Sequence, residues 1–157
     1  MTSIETIITI IGSFIVAIGA FYVRQWVQKQ RLRRAISTEL QQTELLDEAI
    51  EADGVPVNDF LQTDILESNI DRLGYFRSNE VEHLINYLNS AKRMNNAIAL
   101  YRKPEDEFGE GGKPDNLPNI VQGEAEKARK HRNEIFTDWK INPEEISINQ
   151  ELSDTDT

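Results

Sequence analysis

The chain has 157 residues, enough for one domain, and no cysteine, which excludes disulfides, cysteine nucleophiles and cysteine-based zinc sites. Its formal net charge of −10 is divided unevenly: residues 1–34 hold five bases and one acid, net +4, and the remainder holds twelve bases and twenty-six acids, net −14. Because an acidic body lacks the basic footprint that binds phosphates, we expect no nucleic-acid partner.

Residues 4–23 form an almost entirely apolar stretch. As a helix it is about 30 Å long, which matches the hydrocarbon core of a bilayer, and the phenol of Tyr22 is its one ionisable group after Ile7. The stretch has no polar face, which argues against a buried core helix. A removed signal peptide is the alternative, but such peptides carry basic residues before the apolar core, where this chain has Glu5. The sequence therefore predicts a retained, single membrane-spanning helix.

The flanking charges predict the orientation of this helix. Lys and Arg stay on the cytoplasmic side of a span, and here five basic residues follow the stretch while none precedes it. We therefore expect residues 1–3 outside the cell's inner membrane and the body in the cytoplasm, with the lipid bilayer as a partner. The predicted membrane interface, which combines two aromatic rings at headgroup level with this basic collar, consists of Tyr22, Arg24, Trp26, Lys29, Arg31, Arg33 and Arg34.

Small residues in the predicted span indicate a packing face. Gly12 and Gly19 lie seven residues apart and share a face, and Ser13 and Ala17 form a small-xxx-small pair beside it. Such faces let helix backbones approach closely in lipid, so a homo-oligomer formed through this helix is a candidate assembly. The alternative is that small residues are simply common in spans.

The membrane helix is predicted to continue into the cytoplasm without a break, over residues 24–52. This interval contains no Gly or Pro, and its apolar residues recur at three- and four-residue steps. The sequence Asp53-Gly54-Val55-Pro56 marks the end of the helix, because Gly and Pro commonly follow a last helical turn. The apolar stripe comprises Leu32, Ile36, Leu40, Leu46, Ala49 and Ile50.

Three further helices are predicted within residues 57–140, over about residues 64–73, 79–102 and 117–140. Thr63 is the candidate N-cap of the first helix, and Ser78 is that of the second. No segment shows the period-two alternation of a strand. The expected fold is therefore all-α: the anchor helix continues into a small antiparallel bundle, and residues 141–157 form a disordered acidic tail.

Two further side chains suggest specific interactions. Asn95 falls on a heptad-like apolar seam of the helix over residues 79–102, where a polar residue can fix register. The interpretation we favour is that its side chain points to a solvated edge of the bundle.

Phe108 lies among acidic residues in the loop over residues 103–116. An aromatic ring in a mobile loop is a candidate contact for a protein partner.

Two pairs of histidine and glutamate are the candidates for metal chemistry. Glu80 and His83 lie three residues apart on one predicted helix, and His131 and Glu134 do so on another, so each pair offers two ligands on one face. Against a metal, Glu80 lies in a first turn, where an acid favours the helix dipole regardless, and His131 lies within the basic run of residues 127–132. We therefore expect no metal and no other cofactor.

Two sequence segments carry a resemblance. They are Ala35-Ile36-Ser37-Thr38-Glu39-Leu40, after the basic collar, and Val81-Glu82-His83-Leu84-Ile85-Asn86-Tyr87 on a later helix. Together with the anchor they resemble a broad group of small prokaryotic single-pass membrane proteins, over roughly residues 4–102. The excess of acids over lysine is typical of salt-adapted sources such as haloarchaea. The resemblance implies an anchored helical body and carries no activity or site.

The function expected from these patterns is a membrane-anchored, non-enzymatic interaction or scaffold module, because no catalytic constellation is present. One alternative is a component of a membrane-linked signalling or defence system, in which a continuous helix transmits a change between membrane and cytoplasm. The second alternative is a metal-dependent helical-bundle enzyme that uses His83 and His131.

Overall fold

A computed structural model describes residues 2–41, 43–52 and 60–141. In these ranges the secondary structure is helical and contains no strand, which confirms the all-α prediction. The chain divides into two compact units, Met1–Ile36 and Ser37–Thr157. The helices are α1 (Thr2–Leu40), α2 (Thr43–Glu51), α3 (Asp64–Ser68), a 3₁₀ helix (Ile70–Tyr75), α4 (Ser78–Arg102), a second 3₁₀ helix (Glu105–Gly111) and α5 (Leu117–Trp139).

The first unit is helical and carries the apolar stretch. Its α1 helix is long and apolar enough to cross a membrane, and none of its most apolar window is buried. The hydroxyl of Ser13 donates to the carbonyl of Thr9 at 2.8 Å, so this polar group is satisfied within its own helix. The large apolar side chains exposed along this unit are Ile10, Ile11, Phe14, Ile15, Val16, Ile18, Phe21, Tyr22, Val23 and Trp26.

The predicted continuous helix over residues 24–52 is described as two helices. The first ends at Leu40 and the second begins at Thr43, with Gln42 between them outside the described residues. Because Gln42 is not described, the continuity of the helix over residues 24–52 stays a prediction. The stripe itself behaves as predicted, since Leu40, Leu46 and Ala49 are fully buried.

The second unit is built on the pairing of α4 with α5, and α2 also packs on α5. The two long helices run antiparallel, because Asn79 bonds Asp138 at one end and Arg93 lies near Glu124 further along. Their apolar stripes face each other as the spacing predicts. The buried residues on these two helices include Leu84, Tyr87, Leu88, Ala91, Met94, Ile98, Val121, Ala125, Ala128, Ile135, Phe136 and Trp139.

The predicted short helix over residues 64–73 is α3 followed by a 3₁₀ helix, and its start is capped from a distance. The N–H groups of Ile65 and Leu66 donate to the carboxylate of Glu39, at 2.6 and 3.2 Å. Thr63 occupies the predicted cap position but makes no capping hydrogen bond. Its hydroxyl instead donates to Glu67 at 2.6 Å.

The ends of α4 and α5 meet at Glu80. One carboxylate oxygen accepts the backbone N–H of Arg77 at 2.7 Å, and the other accepts the indole N–H of Trp139 at 3.1 Å. The helix therefore begins at Ser78 with Arg77 as its N-cap, rather than after a Ser78 cap. At the other end, Lys140 terminates α5 in the left-handed conformation, with φ of 55°.

The predicted loop over residues 103–116 contains the second 3₁₀ helix. Gly109 and Gly112 have φ of 63° and 65°, a conformation that glycine adopts without steric cost. Phe108 lies in this helix and is half-buried. The tail over residues 142–157, the helix-stop sequence over residues 53–56 and the N-terminal Met1 lie outside the described residues.

Candidate functional site

The antiparallel pairing of α4 and α5 brings together His83, His131 and Glu134. The distance from His83 Nδ1 to Glu134 Oε2 is 2.8 Å, and that from His131 Nδ1 to the same oxygen is 3.1 Å. The two imidazole rings lie side by side, with centroids 5.8 Å apart. One donor atom from each residue lies within 4.8 Å of the others, so the three form a compact nitrogen–nitrogen–oxygen set.

The cluster is partly covered but accessible. The side chains of His83, His131 and Glu134 are 25%, 20% and 36% exposed. An open surface groove beside them is lined by residues of α4 and α5, namely Asn79, His83, Lys130, Asn133, Glu134, Thr137 and Asp138. An ion or small ligand can therefore reach the cluster from solvent without any rearrangement of the two helices.

His83 is incompletely satisfied in this arrangement. Its Nδ1 atom is shielded from solvent and has no hydrogen-bond partner of acceptable geometry among the described residues, although Glu134 Oε2 is only 2.8 Å away. The contact between His131 and Glu134, by contrast, has the geometry of a hydrogen bond. Buried polar atoms normally have partners, so the position of His83 Nδ1 is one that a bound cation would explain.

Glu80 does not join the cluster, so of the predicted Glu80–His83 pair only His83 lies near Glu134. The Glu80 carboxylate is 2% exposed and is engaged with Arg77 and Trp139. The pair His131–Glu134 stays together as predicted. The third potential ligand therefore comes from α4 through His83 alone.

The basic run of residues 127–132 is largely neutralised or turned away from the cluster. Lys127 contacts Glu124 at 2.7 Å and Arg129 contacts Asp47 at 3.4 Å. Arg132 is buried and donates to Asn133 Oδ1 at 3.1 and 3.2 Å. The fourth basic side chain of the run, Lys130, is the one that lines the groove. The repulsion that the sequence suggests for a bound cation thus reduces to one exposed lysine.

A second group of polar side chains lies in the core, and no motif or spacing in the sequence predicts it. Tyr87 is fully buried and its hydroxyl has no hydrogen-bond partner among the described residues; the same is true of Nη1 of Arg132. Burial raises the pKa of Tyr87 and lowers that of Arg132. Burial also raises the pKa of Glu39, against the lowering effect of the N–H groups of Ile65 and Leu66.

The other predicted site residues lie on separate elements. The predicted interface residues all lie on α1, where Tyr22 and Trp26 are 65% and 62% exposed. In the predicted packing face, a Cβ added at Gly12 or Gly19 would meet no atom within 4 Å. No helix partner covers this face in the described part of the chain, so association through it stays a prediction.

Comparison with known proteins adds no relative. No protein-family model, no curated protein and no solved structure matches the chain.

Proposed function

We propose that the protein is a single-pass membrane-anchored module whose helical body binds another protein on the cytoplasmic side. The observation that carries this proposal is the apolar surface of α1, of which no residue in the most apolar window is buried. Ten large apolar side chains between Ile10 and Trp26 are exposed. Such a continuous apolar surface is unfavourable in water and favourable in lipid.

The proposed orientation places the N-terminus outside and the body in the cytoplasm. The support is the asymmetry of Lys and Arg around the apolar stretch, with five after it and none before it. The exposed rings of Tyr22 and Trp26 fit the headgroup level on the same side. The acidic body itself is repelled by an anionic bilayer surface, so the anchor and collar supply the membrane attachment.

The body is proposed to act by binding a protein rather than by catalysis. The support from the sequence is the lack of a recognisable catalytic constellation. The support from the surface is a set of exposed apolar side chains on several elements, two of which are aromatic, and aromatic side chains are enriched in protein interfaces. The set comprises Phe60, Ile70, Tyr75, Ile85, Leu100 and Ile120.

Membrane extraction tests the anchor. The native chain is expected to stay in the membrane pellet after a carbonate wash. The double variant Ile11→Arg/Ile15→Arg is expected in the soluble fraction, because each arginine at the centre of a span costs about 2.5–3.5 kcal/mol. Ile85→Arg is a matched change on the exposed surface of α4. This variant should stay in the membrane pellet, as the native chain does. Release of the native chain by the wash would overturn the proposal.

Cysteine labelling tests the orientation, and the absence of native cysteines makes it clean. A membrane-impermeant maleimide added to sealed cells should label Thr2→Cys. The exposed α5 position Thr137→Cys should be labelled only after the membrane is permeabilised. The reverse pattern would place the body outside the cell.

A further inference from the structure

We propose that His83, His131 and Glu134 form a binding site for a divalent transition metal ion of the zinc type, which links α4 to α5. This site goes beyond the proposed anchor and interaction function, and it does not depend on either. The three donors come from two helices that are consecutive in the chain and antiparallel, so one ion would join positions 48 residues apart in sequence, from His83 to His131.

The donor types match the proposed ion. Two imidazole nitrogens and one carboxylate oxygen are a set that zinc uses where protein supplies three ligands and solvent completes the coordination. The absence of cysteine from the chain excludes thiolate alternatives. Calcium and magnesium prefer oxygen ligands, so the two histidines favour a first-row transition metal.

The distances also fit. Ligands of a tetrahedral zinc ion at about 2.0–2.1 Å lie about 3.3 Å from one another. The His83–Glu134 and His131–Glu134 distances are 2.8 and 3.1 Å. Each of these two distances therefore needs to lengthen by only a few tenths of an ångström, and the ligand atoms of the two histidines lie within 4.8 Å of each other, a separation that small torsional changes of partly exposed side chains can adjust. Coordination would also give the shielded Nδ1 of His83 a directed bond, since its contact with Glu134 lacks the geometry of a hydrogen bond.

The local charges tolerate a dication. Glu134 is a ligand and Asp138 lines the same groove, while Lys130 supplies the one basic side chain there. Asp138 is held in place by the amide of Asn79 at 2.8 Å. The remaining groove residues Asn133 and Thr137 are neutral. Two carboxylates and one ammonium carry a net negative charge, which favours a bound cation.

Metal titration of the full chain tests the proposal. The protein is purified in detergent without a polyhistidine tag, treated with chelator and titrated with Zn²⁺ by calorimetry, and with Co²⁺ by visible absorption. One site per chain is expected, with Co²⁺ bands typical of nitrogen and oxygen ligands. Glu134→Gln and His83→Asn are each expected to weaken binding at least about tenfold, since even the loss of groups that only support ligands costs 10–100-fold.

The matched control is Glu126→Gln, an exposed glutamate on the same helix, which should bind Zn²⁺ as the native chain does. The acidic tail is present in every variant, so any weak Zn²⁺ binding to the tail contributes equally to each measured affinity. Thermal unfolding provides a second readout: Zn²⁺ should raise the unfolding temperature of the native chain and of Glu126→Gln, but not of Glu134→Gln.

Two results would overturn the site. One is the absence of saturable Zn²⁺ binding to the native chain, and the other is equal affinity of the native chain and both ligand variants. Because misfolding would also lower the affinity, circular dichroism in chelator must show native helix content for Glu134→Gln; if it does not, His83→Asn decides the comparison. Failure of the membrane extraction test would leave this result unaffected.

Discussion

The side-chain amide of Asn95 forms a two-point hydrogen bond with the backbone of Leu61. The N–H of Leu61 donates to Oδ1 of Asn95 at 2.9 Å, and Nδ2 of Asn95 donates to the carbonyl of Leu61 at 2.8 Å. The amide thus acts as a neighbouring strand would, and it holds the segment before α3 against α4. Leu61 is only 2% exposed, so without Asn95 its backbone groups would lose their partners in a covered position.

Replacement of Asn95 by leucine is expected to destabilise the body by about 1–3 kcal/mol, because it removes two hydrogen bonds and leaves buried backbone groups unpaired. Urea unfolding of the full chain in detergent, followed by circular dichroism, measures the change. The neighbouring exposed residue supplies the control, and Asn96→Leu should have little effect. Equal losses for the two variants would show that the pairing with Leu61 contributes nothing.

The buried carboxylate of Glu39 should make stability depend on pH. Its pKa in the folded protein is raised above the ordinary value of 4.5, chiefly by burial. The folded state therefore binds the proton more tightly than the unfolded chain does, so the stabilisation is fully present below pH 4.5 and is lost as the pH rises through the raised pKa. Glu39→Gln removes this titration.

We expect the free energy of unfolding of the native chain, relative to that of Glu39→Gln, to fall as the pH rises from below 4.5. Urea unfolding at a series of pH values measures the difference. Glu48→Gln, on the exposed face of α2, is the control and should parallel the native chain. A difference that grows with pH would contradict the argument from burial.

The hydrogen bond donated by the indole N–H of Trp139 can be tested separately from the packing of its ring. Trp139 stacks on Phe76, with ring centroids 5.6 Å apart and planes 20° apart, and its N–H donates to Glu80. Trp139→Phe retains an aromatic ring and removes the donor. It should cost about 1–3 kcal/mol of stability by leaving a buried carboxylate oxygen without this donor. Trp26→Phe, on the exposed surface of α1, should cost much less in the same unfolding assay.

Bulk at the small-residue face of α1 should disturb association and not the fold of the monomer. A Cβ at Gly12 or Gly19 meets nothing within 4 Å, so the isolated helix accommodates a larger side chain. If two copies pack through this face, Gly12→Ile and Gly19→Ile should each reduce dimerisation in a membrane reporter assay. Phe14→Trp adds bulk on the opposite side of the helix and should not. Unchanged signals for both glycine variants would remove this interface.

The helices of the body could be predicted from local sequence, because helix formation follows a period of 3.6 residues that the apolar side chains display. Leu84, Leu88 and Ile98 recur at that period and are buried on α4. The continuity of the helix between Leu40 and Thr43 stays a prediction, because Gln42 lies between them outside the described residues.

The candidate site could be predicted in part. His131 and Glu134 share one helix, so their proximity follows from a spacing of three residues. The approach of His83 depends on the register between α4 and α5, which the packing of their apolar stripes sets. The engagement of Glu80 with Trp139 depends on the same register, and it removes one of the ligands that the sequence predicts.

The sequence by itself determined the all-helical character, the apolar stretch of α1 and the faces that become buried, because these depend on residues within a few turns of one another. Only the tertiary structure decided the partners of the polar groups: Glu39 with the start of α3, Asn95 with Leu61, and Glu80 with Trp139. The physical reason is that a buried polar atom takes whichever partner the packing of distant segments brings within hydrogen-bonding range, and local periodicity carries no information about that choice.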